Sequence, residues 1–304
     1  MTDTLTLPGF WTATVHEVQR LTPHLQRVVL GGPDLAGFPS LGAPDESVTL
    51  YFPRTDELTP PPMTVRDGVW GYHDEQSPPT GRNYSIRTVD PDEARLTIDF
   101  ALHDHGPATS WARQAETGAG LLLWRRRAWF RPPADTRWLV LAADLAGLPA
   151  ATRIVAERTP GVGVRVLVDL PDLADARDLL AAAGGDPAVE IDVRIGVGNG
   201  NGPGSLVERL RDRPLPAGPG YVWVAGEAGE CRQARSVLRD IHHLPRDRAV
   251  CVGYWRAEAA DWERRYTRHR PLLDKIYQDG LAAGLSPAEA GDRMEEELER
   301  MTRR

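Results

Sequence analysis

A chain of 304 residues with 41% hydrophobic content is long enough to bury two cores, and its formal net charge of −7 counts against non-specific nucleic-acid binding. No apolar run approaches the roughly 18 residues of a membrane helix, and Met1–Leu5 shows no basic stretch leading into an apolar one, so a cytoplasmic protein with no membrane partner is expected. Two cysteines, Cys231 and Cys251, are too few for a disulfide framework or an iron–sulfur cluster.

In chain order, short β-rich segments come first: Thr12–Val18, Leu25–Leu30, Ser47–Phe52, Arg82–Val89, Leu96–Leu102 and Gly120–Trp124. With one helix over Ala108–Ala115, their spacing predicts an antiparallel barrel. Beyond Pro132-Pro133, strands alternate with helices: Trp138–Ala142 then Ala146–Glu157, Val164–Asp169 then Leu173–Ala183, Ile191–Ile195 then Leu206–Arg211, Tyr221–Ala225 then Cys231–Ile241, and last Val250–Trp255. Continuous apolar strands between helices predict a doubly wound parallel sheet. Trp262, Tyr266, Leu272, Ile276 and Leu281 then recur at helical spacing, and Ser286-Pro287-Ala288-Glu289 reads as a helix start, so two terminal helices are expected. The division is a barrel over 1–132, an α/β unit over 133–256 and a helical extension over 257–304.

Chemistry concentrates in two segments. Period-two alternation through Arg82-Asn83-Tyr84-Ser85-Ile86-Arg87 puts Arg82, Tyr84 and Ile86 on one face and Asn83, Ser85 and Arg87 on the other. A guanidinium forks onto phosphate oxygens, a tyrosine ring stacks, and the Ser85 hydroxyl or backbone N–H can meet a ring nitrogen. Downstream, His103 precedes Gly106-Pro107-Ala108-Thr109-Ser110, a small-residue turn that opens a helix and frees backbone N–H groups for a phosphate. Together they suit a diphosphate carrying a flat ring, a flavin dinucleotide. An Arg, Tyr and Ser alternating on a half-exposed strand also has the plain structural reading.

Other features carry less. The run Gly196–Gly204 offers no Gly-x-Gly-x-x-Gly register and no Lys-Ser/Thr, and reads as a surface loop. His103-x-His105 would share one strand face, but no third ligand is evident, so no metal is expected. Arg125-Arg126-Arg127 with Arg131 is a basic cluster that an anionic substrate would suit, or a solvated edge.

Four motifs in order give a family resemblance: Arg82-x-Tyr84-Ser85-x-Arg87; His103 with Gly106-Pro107-Ala108 and Trp111-Ala112; Ala225-Gly226-Glu227; and Gly253-Tyr254-Trp255-Arg256. On these the chain resembles the siderophore-interacting proteins, flavin reductases related to ferredoxin reductase. The resemblance implies FAD held by Arg82, Tyr84, Ser85, Arg87, His103 and Gly106 to Ser110, with Tyr84 and Ser85 at the ring and Tyr254 or Trp255 over its other face. It implies electrons passing from NAD(P)H or ferredoxin through FAD to the Fe(III) of a siderophore, with Arg126, Arg127 and Arg256 as substrate candidates. Asp144, Gly226 and Glu227 are candidates for the nicotinamide site, but the family's Gly-Asp-Glu-Thr-Ala-Leu-Pro-Ala is here Ala143-Asp144-Leu145-Ala146-Gly147-Leu148-Pro149-Ala150, so Glu and Thr have become Leu145 and Ala146. The barrel's closing Gly-Pro is replaced by Trp124-Arg125, and a family lysine of the basic trio corresponds to Thr49. A flavoenzyme of secondary metabolism on this scaffold, or a non-catalytic FAD-binding protein, remain as alternatives.

Overall fold

The computed structural model describes residues 10–54, 57–66, 69–73, 76, 78–103, 106–200, 202–257, 259–285 and 287–302. Met1–Leu5, His105, Asn201 and Ser286, on which parts of the sequence reading rest, lie outside these.

Strand β1 (Trp11–Arg20) turns Trp11, Ala13 and Val15 inward at every second position and pairs antiparallel with β2 (Leu25–Gly31). Then come β3 (Ser47–Tyr51), a separate small hairpin of β4 (Thr64–Arg66) and β5 (Val69–Gly71), β6 (Gly81–Ser85), β7 (Thr88–Asp90), β8 (Arg95–Ala101), helix α1 (Pro107–Gln114) and β9 (Gly120–Arg127). The seven-stranded sheet runs β6-β3-β9-β1-β2-β8-β7. Its β6 also meets β8, where the Tyr84 and Phe100 ring centroids lie 4.4 Å apart, so the sheet curls into a barrel around Val28, Leu30, Val48, Leu50, Ile98 and Leu121.

Two local features depart from the sequence reading. The single strand expected over Arg82–Val89 is two strands: Ile86 is fully buried and donates its N–H to the Glu46 carbonyl (2.8 Å), while Arg87 donates to the Thr97 carbonyl (2.8 Å). Burial of Ile86 in the barrel draws the chain off β3 and onto β8. Strand β9 also continues past Trp124, because a bulge pairs Val48 with Arg126 and Thr49 with Trp124, leaving Arg125 as the extra residue at φ 47°.

The second half is β10 (Trp138–Asp144), α2 (Leu148–Ala156), β11 (Gly163–Leu170), α3 (Arg177–Ala183), β12 (Val189–Ile195), α4 (Leu206–Asp212), β13 (Gly220–Glu227), α5 (Ala228–Asp240) and β14 (Ala249–Trp255). Its strands are parallel in the order β12-β11-β10-β13-β14, with β10 buried throughout and β13 buried to Gly226. Alternate residues of β10 feed two cores: Leu139, Leu141 and Ala143 pack with α2 and α3, and Trp138, Val140 and Ala142 with α4 and α5. Helices α6 (Ala259–Ala282) and α7 (Pro287–Thr302) pack as a pair. The apolar line of α6 differs by one position from the spacing: Leu272 is 48% exposed and Leu273 is the buried residue.

Buried polar groups join the halves. Asp45, fully buried on the loop before β3, accepts N–H from Trp129 (3.1 Å) and Phe130 (2.8 Å) in the linker and from the indole of Trp223 (3.2 Å) on β13. Arg27 on β2 forks onto Asp99 of β8 (2.7 Å to each oxygen) and reaches Asp178 of α3 (2.8 Å). Asp45→Ala leaves one buried and two half-buried donors without their acceptor and is expected to destabilise the protein by about 3 kcal/mol, measured by urea unfolding followed through tryptophan fluorescence.

Candidate functional site

Helix α1 begins where the chain needs a glycine. Gly106 sits at φ 126°, and a Cβ there would fall 3.2 Å from the His103 ring. Pro107 takes the first helical position, and Ser110 N–H returns to the Gly106 carbonyl (3.0 Å), so Ala108 and Thr109 present the open amides of the first turn. The Thr109 hydroxyl is buried and has no hydrogen-bond partner among the described residues. Behind the helix, Trp111 packs on Phe52 (5.3 Å) and Phe100 (5.6 Å), the rings that also contact Tyr84. Burial pushes the Tyr84 phenol well above its ordinary pKa, against the nearby charge of Arg82. Arg82 is itself exposed.

The opposite face of β6 meets the second half of the chain. Ser85 pairs across the sheet with Ser47, whose buried hydroxyl has no partner among the described residues. The Ser85 hydroxyl donates to the Tyr254 oxygen (3.3 Å), and the Tyr254 ring stands perpendicular to Trp223 at 6.3 Å. The Ser85 hydroxyl is thus fixed by a side chain from β14.

The family model described as the siderophore-interacting FAD-binding domain matches residues 14–127, and the one described as siderophore-interacting protein matches 136–258. The chain belongs to the siderophore-interacting protein family. Among its relatives, the NADPH-dependent ferric-chelate reductase of Escherichia coli is 31% identical over 82% of this chain and 94% of that protein. The ferric vibriobactin reductase of Vibrio cholerae is 28% identical over 78% and 85%. Of solved structures, a siderophore utilization protein from T. fusca superposes at TM-score 0.71, with 30% identity over 82% of this chain and 94% of that one. A ferredoxin NADP+ reductase from Neisseria gonorrhoeae, 15% identical at TM-score 0.57, shares the fold.

As a family member the chain has an FAD-binding domain, and its residues fit that group. A glycine-opened helix start, an orphaned threonine hydroxyl and an exposed arginine beside a tyrosine ring supply donors for a diphosphate and a face for a ring. Arg87 is engaged differently from Arg82. It lies near Asp99 (3.9 Å) in the cluster with Arg27 and Asp178, where burial lowers its pKa, and its Nε has no acceptor among the described residues. His103 is exposed, and its carbonyl accepts from Arg113 (3.3 Å).

The carboxyl ends of the parallel strands hold the nicotinamide candidates. Asp144 is fully buried, and its carboxylate accepts from Ala146 N (2.9 Å), Gly147 N (3.2 Å) and the Trp255 indole. Trp255 is therefore committed to Asp144, and of the two aromatics expected over the flavin it is Tyr254 that faces Ser85. Gly226 lies so close that a Cβ would fall 3.0 Å from the Asp144 carboxyl. Glu227 caps α5, accepting from Glu230 N (3.0 Å) and Ala257 N (3.1 Å). Leu145 is buried among the apolar side chains of α2 and α3. The glycine-rich run after β12 folds over this end: Gly198 lies against Asp169 and Asp144, and Gly204 leaves no room for a Cβ beside the Glu230 carboxyl. Among the described residues no group of His, Cys, Asp and Glu could hold a metal, and no helix is long and apolar enough to cross a membrane.

The arginines divide. Arg127 donates to Asn83 (2.8 Å) and Thr49 (3.3 Å), whereas Arg126 lies over the Trp11 ring (5.7 Å). Arg256 stacks on Trp262 of α6 (4.4 Å). Sequence reasoning missed Asp45 and Ser47, whose partners lie on distant segments; the run Asp45-Glu46-Ser47 entering a buried strand was the available signal.

Burial pushes the Asp144 carboxyl up to about 6, against the N–H groups it accepts, and Glu230 up to about 7, with Asp144, Asp169 and Glu227 adding repulsion. Because the folded pKa of Asp144 lies above that of an unfolded aspartate, this group's contribution is most favourable below about pH 4 and is lost as pH rises through about 6. Asp144→Asn is expected to lack that decline, so its stability relative to the parent should rise by about 3 kcal/mol between about pH 4 and 7. Urea denaturation of both proteins across that range measures it.

Proposed function

We propose that the chain is an FAD-dependent oxidoreductase that reduces the Fe(III) of a siderophore. The observation that carries the reading is the start of α1, where open amides and the orphaned Thr109 hydroxyl sit on a helix whose Trp111 packs on the Phe52 and Phe100 rings that contact Tyr84. The family's FAD-binding domain and relatives named as ferric-chelate and ferric vibriobactin reductases support it.

In this reading Arg82, the amides of Ala108 and Thr109 and the Thr109 hydroxyl bind the diphosphate through charge-assisted hydrogen bonds. Tyr84 would offer its ring to the flavin, and the Ser85 hydroxyl would offer it a hydrogen bond. Bound FAD supplies the capacity to accept electrons in pairs and release them singly. Arg127 and Arg256 attract the anionic chelate; Arg126, directed to Trp11, does so less. Iron reduced to Fe(II) is held less firmly by hard oxygen ligands and leaves. The electron source is NAD(P)H or a reduced ferredoxin.

Arg82→Ala is expected to weaken FAD binding 10- to 150-fold, the equivalent of about 1.5–3 kcal/mol, and Thr109→Val to weaken it about fivefold. Titration of flavin-stripped protein with FAD, followed by quenching of flavin fluorescence, measures both, and unchanged affinity in each variant would remove the diphosphate assignment.

Direct reduction by NADPH is expected to be slow, and reduction by ferredoxin or dithionite fast. Leu145 and Ala146 in place of Glu and Thr remove two polar contacts, about 2–3 kcal/mol, raising the dinucleotide's dissociation constant roughly 30- to 150-fold. Stopped-flow bleaching by micromolar NADPH within about a second would instead establish a competent nicotinamide site.

A further inference from the structure

Ile86, where the chain leaves β3 for β8, belongs to neither ladder: the pairing of β6 with β3 ends at Ser85, and that of β7 with β8 begins at Thr88. Its backbone N–H and carbonyl therefore need partners from elsewhere. The N–H goes to the Glu46 carbonyl (2.8 Å), and the carbonyl accepts from the Arg153 guanidinium (3.1 Å), which comes from α2 in the other half of the chain.

Arg153 is an unusual occupant of that place. Residues Leu148 to Val155 of α2 are all buried, and Arg153 is only 6% exposed. Its Nε donates to Glu157 one turn on (2.6 Å), a carboxylate whose side chain is 46% exposed. A buried guanidinium is costly to desolvate, and an apolar side chain of similar volume would fill the same space at less cost. What an apolar side chain could not do is donate to a carbonyl stranded between two ladders. The start of α2 is fixed as well: Gly147 N–H donates to Asp144 (3.2 Å), and a Cβ at Gly147 would fall 2.6 Å from the Ala225 carbonyl oxygen. A short, tightly seated helix thus carries a donor to the residue that follows Ser85.

We infer that Arg153 is a positioning residue for electron transfer: by holding the Ile86 carbonyl it sets where Ser85 stands against the flavin. Without the guanidinium the buried carbonyl is left unsatisfied, and the peptide turns to find another donor. Ser85, one residue earlier and bonded to Tyr254 (3.3 Å), shifts with it. A polar contact to the ring differs in strength between oxidised and reduced flavin, so the displacement changes the potential as well as the stability. The inference rests on the placement of Ser85 at the flavin in the proposed function, and it adds the residue that holds Ser85 there.

Anaerobic reductive titration of the FAD-loaded protein against a reference dye reads the potential. Ser85→Ala is expected to move it, and Arg153→Met to move it by about 30 mV, a tenfold change in the ratio of affinities for reduced and oxidised flavin, with a shifted visible spectrum. In the Ser85→Ala background Arg153→Met should add nothing, because the residue through which it acts is gone. His24→Ala, which removes the His24–Asp175 contact (2.9 Å) between the halves, should lower resistance to urea and leave the potential as in the parent. If Arg153→Met fails to retain FAD, Arg153→Lys, which keeps a cation but not the planar fork, carries the test: about a threefold change in the same ratio is expected, again only while Ser85 is present. An unmoved potential in the Arg153 variant, a shift as large in Ser85→Ala as in the parent, or an equal shift in His24→Ala overturns the inference and leaves Arg153 a fastener of the seam. An unmoved potential and spectrum in Ser85→Ala instead removes Ser85 from the flavin, and with it the reading on which the role of Arg153 rests.

Discussion

Asp45 is a single carboxylate from the barrel on which the linker and strand β13 of the parallel sheet both converge. Removing a charge from water is costly, and three N–H groups at hydrogen-bond distance offset that cost only if all three are in place. That requirement fixes Trp223, and the Tyr254 ring stands against Trp223. The position of the Tyr254 hydroxyl beside Ser85 is therefore a consequence of how the two sheets are joined. Arg27, bridging Asp99 and Asp178, and Arg153, donating to the Ile86 carbonyl (3.1 Å), fasten other points of the same seam.

The hydroxyls facing the barrel site and the carboxylates at the end of the parallel sheet differ in how they are satisfied. On the barrel side, the Thr109 and Ser47 hydroxyls are buried without partners among the described residues, and each such group is costly unless something else completes it. At the carboxyl end of the parallel sheet three carboxylates are already satisfied: Asp144 by Trp255 and two amides, Asp169 by Ser205 and Arg209, Glu227 by two amides. The barrel is prepared for a ligand rich in acceptors. The crevice of the second sheet, where a nucleotide binds in open α/β folds, has spent its acceptors on the protein itself.

Local pattern disclosed much of this. Alternation and apolar runs gave the strands of both sheets because side-chain period is a property of each strand alone, and the Gly106-Pro107 helix start was legible because its backbone demands are local. The break after Ser85 was not legible. It depends on where Ile86 finds its core, and Val89 continues the β pattern without interruption. The three-residue strands β4 and β5 are too short to show a period. Within the site, the motif residues were readable as a set, whereas the roles of Arg87 and Trp255 turned on Asp99 and Asp144, partners brought close only by the fold. Asp45 and Ser47 carry no motif and acquire meaning only from segments more than thirty residues away.

The glycine-rich run after β12 bears on exchange of ligands at the carboxyl end of the parallel sheet. Gly196, Gly198, Gly200 and Gly202 all have positive φ, and Asn199 shares that region, so the segment holds a path that side chains with a Cβ rarely adopt. It rests on Asp144, Asp169 and Glu230 and is pinned at its far end by Ser205 on Asp169. A ligand that needs the space this loop fills would bind with an apparent affinity scaled down by the fraction of molecules in which the loop is raised, tenfold for about every 1.4 kcal/mol of opening.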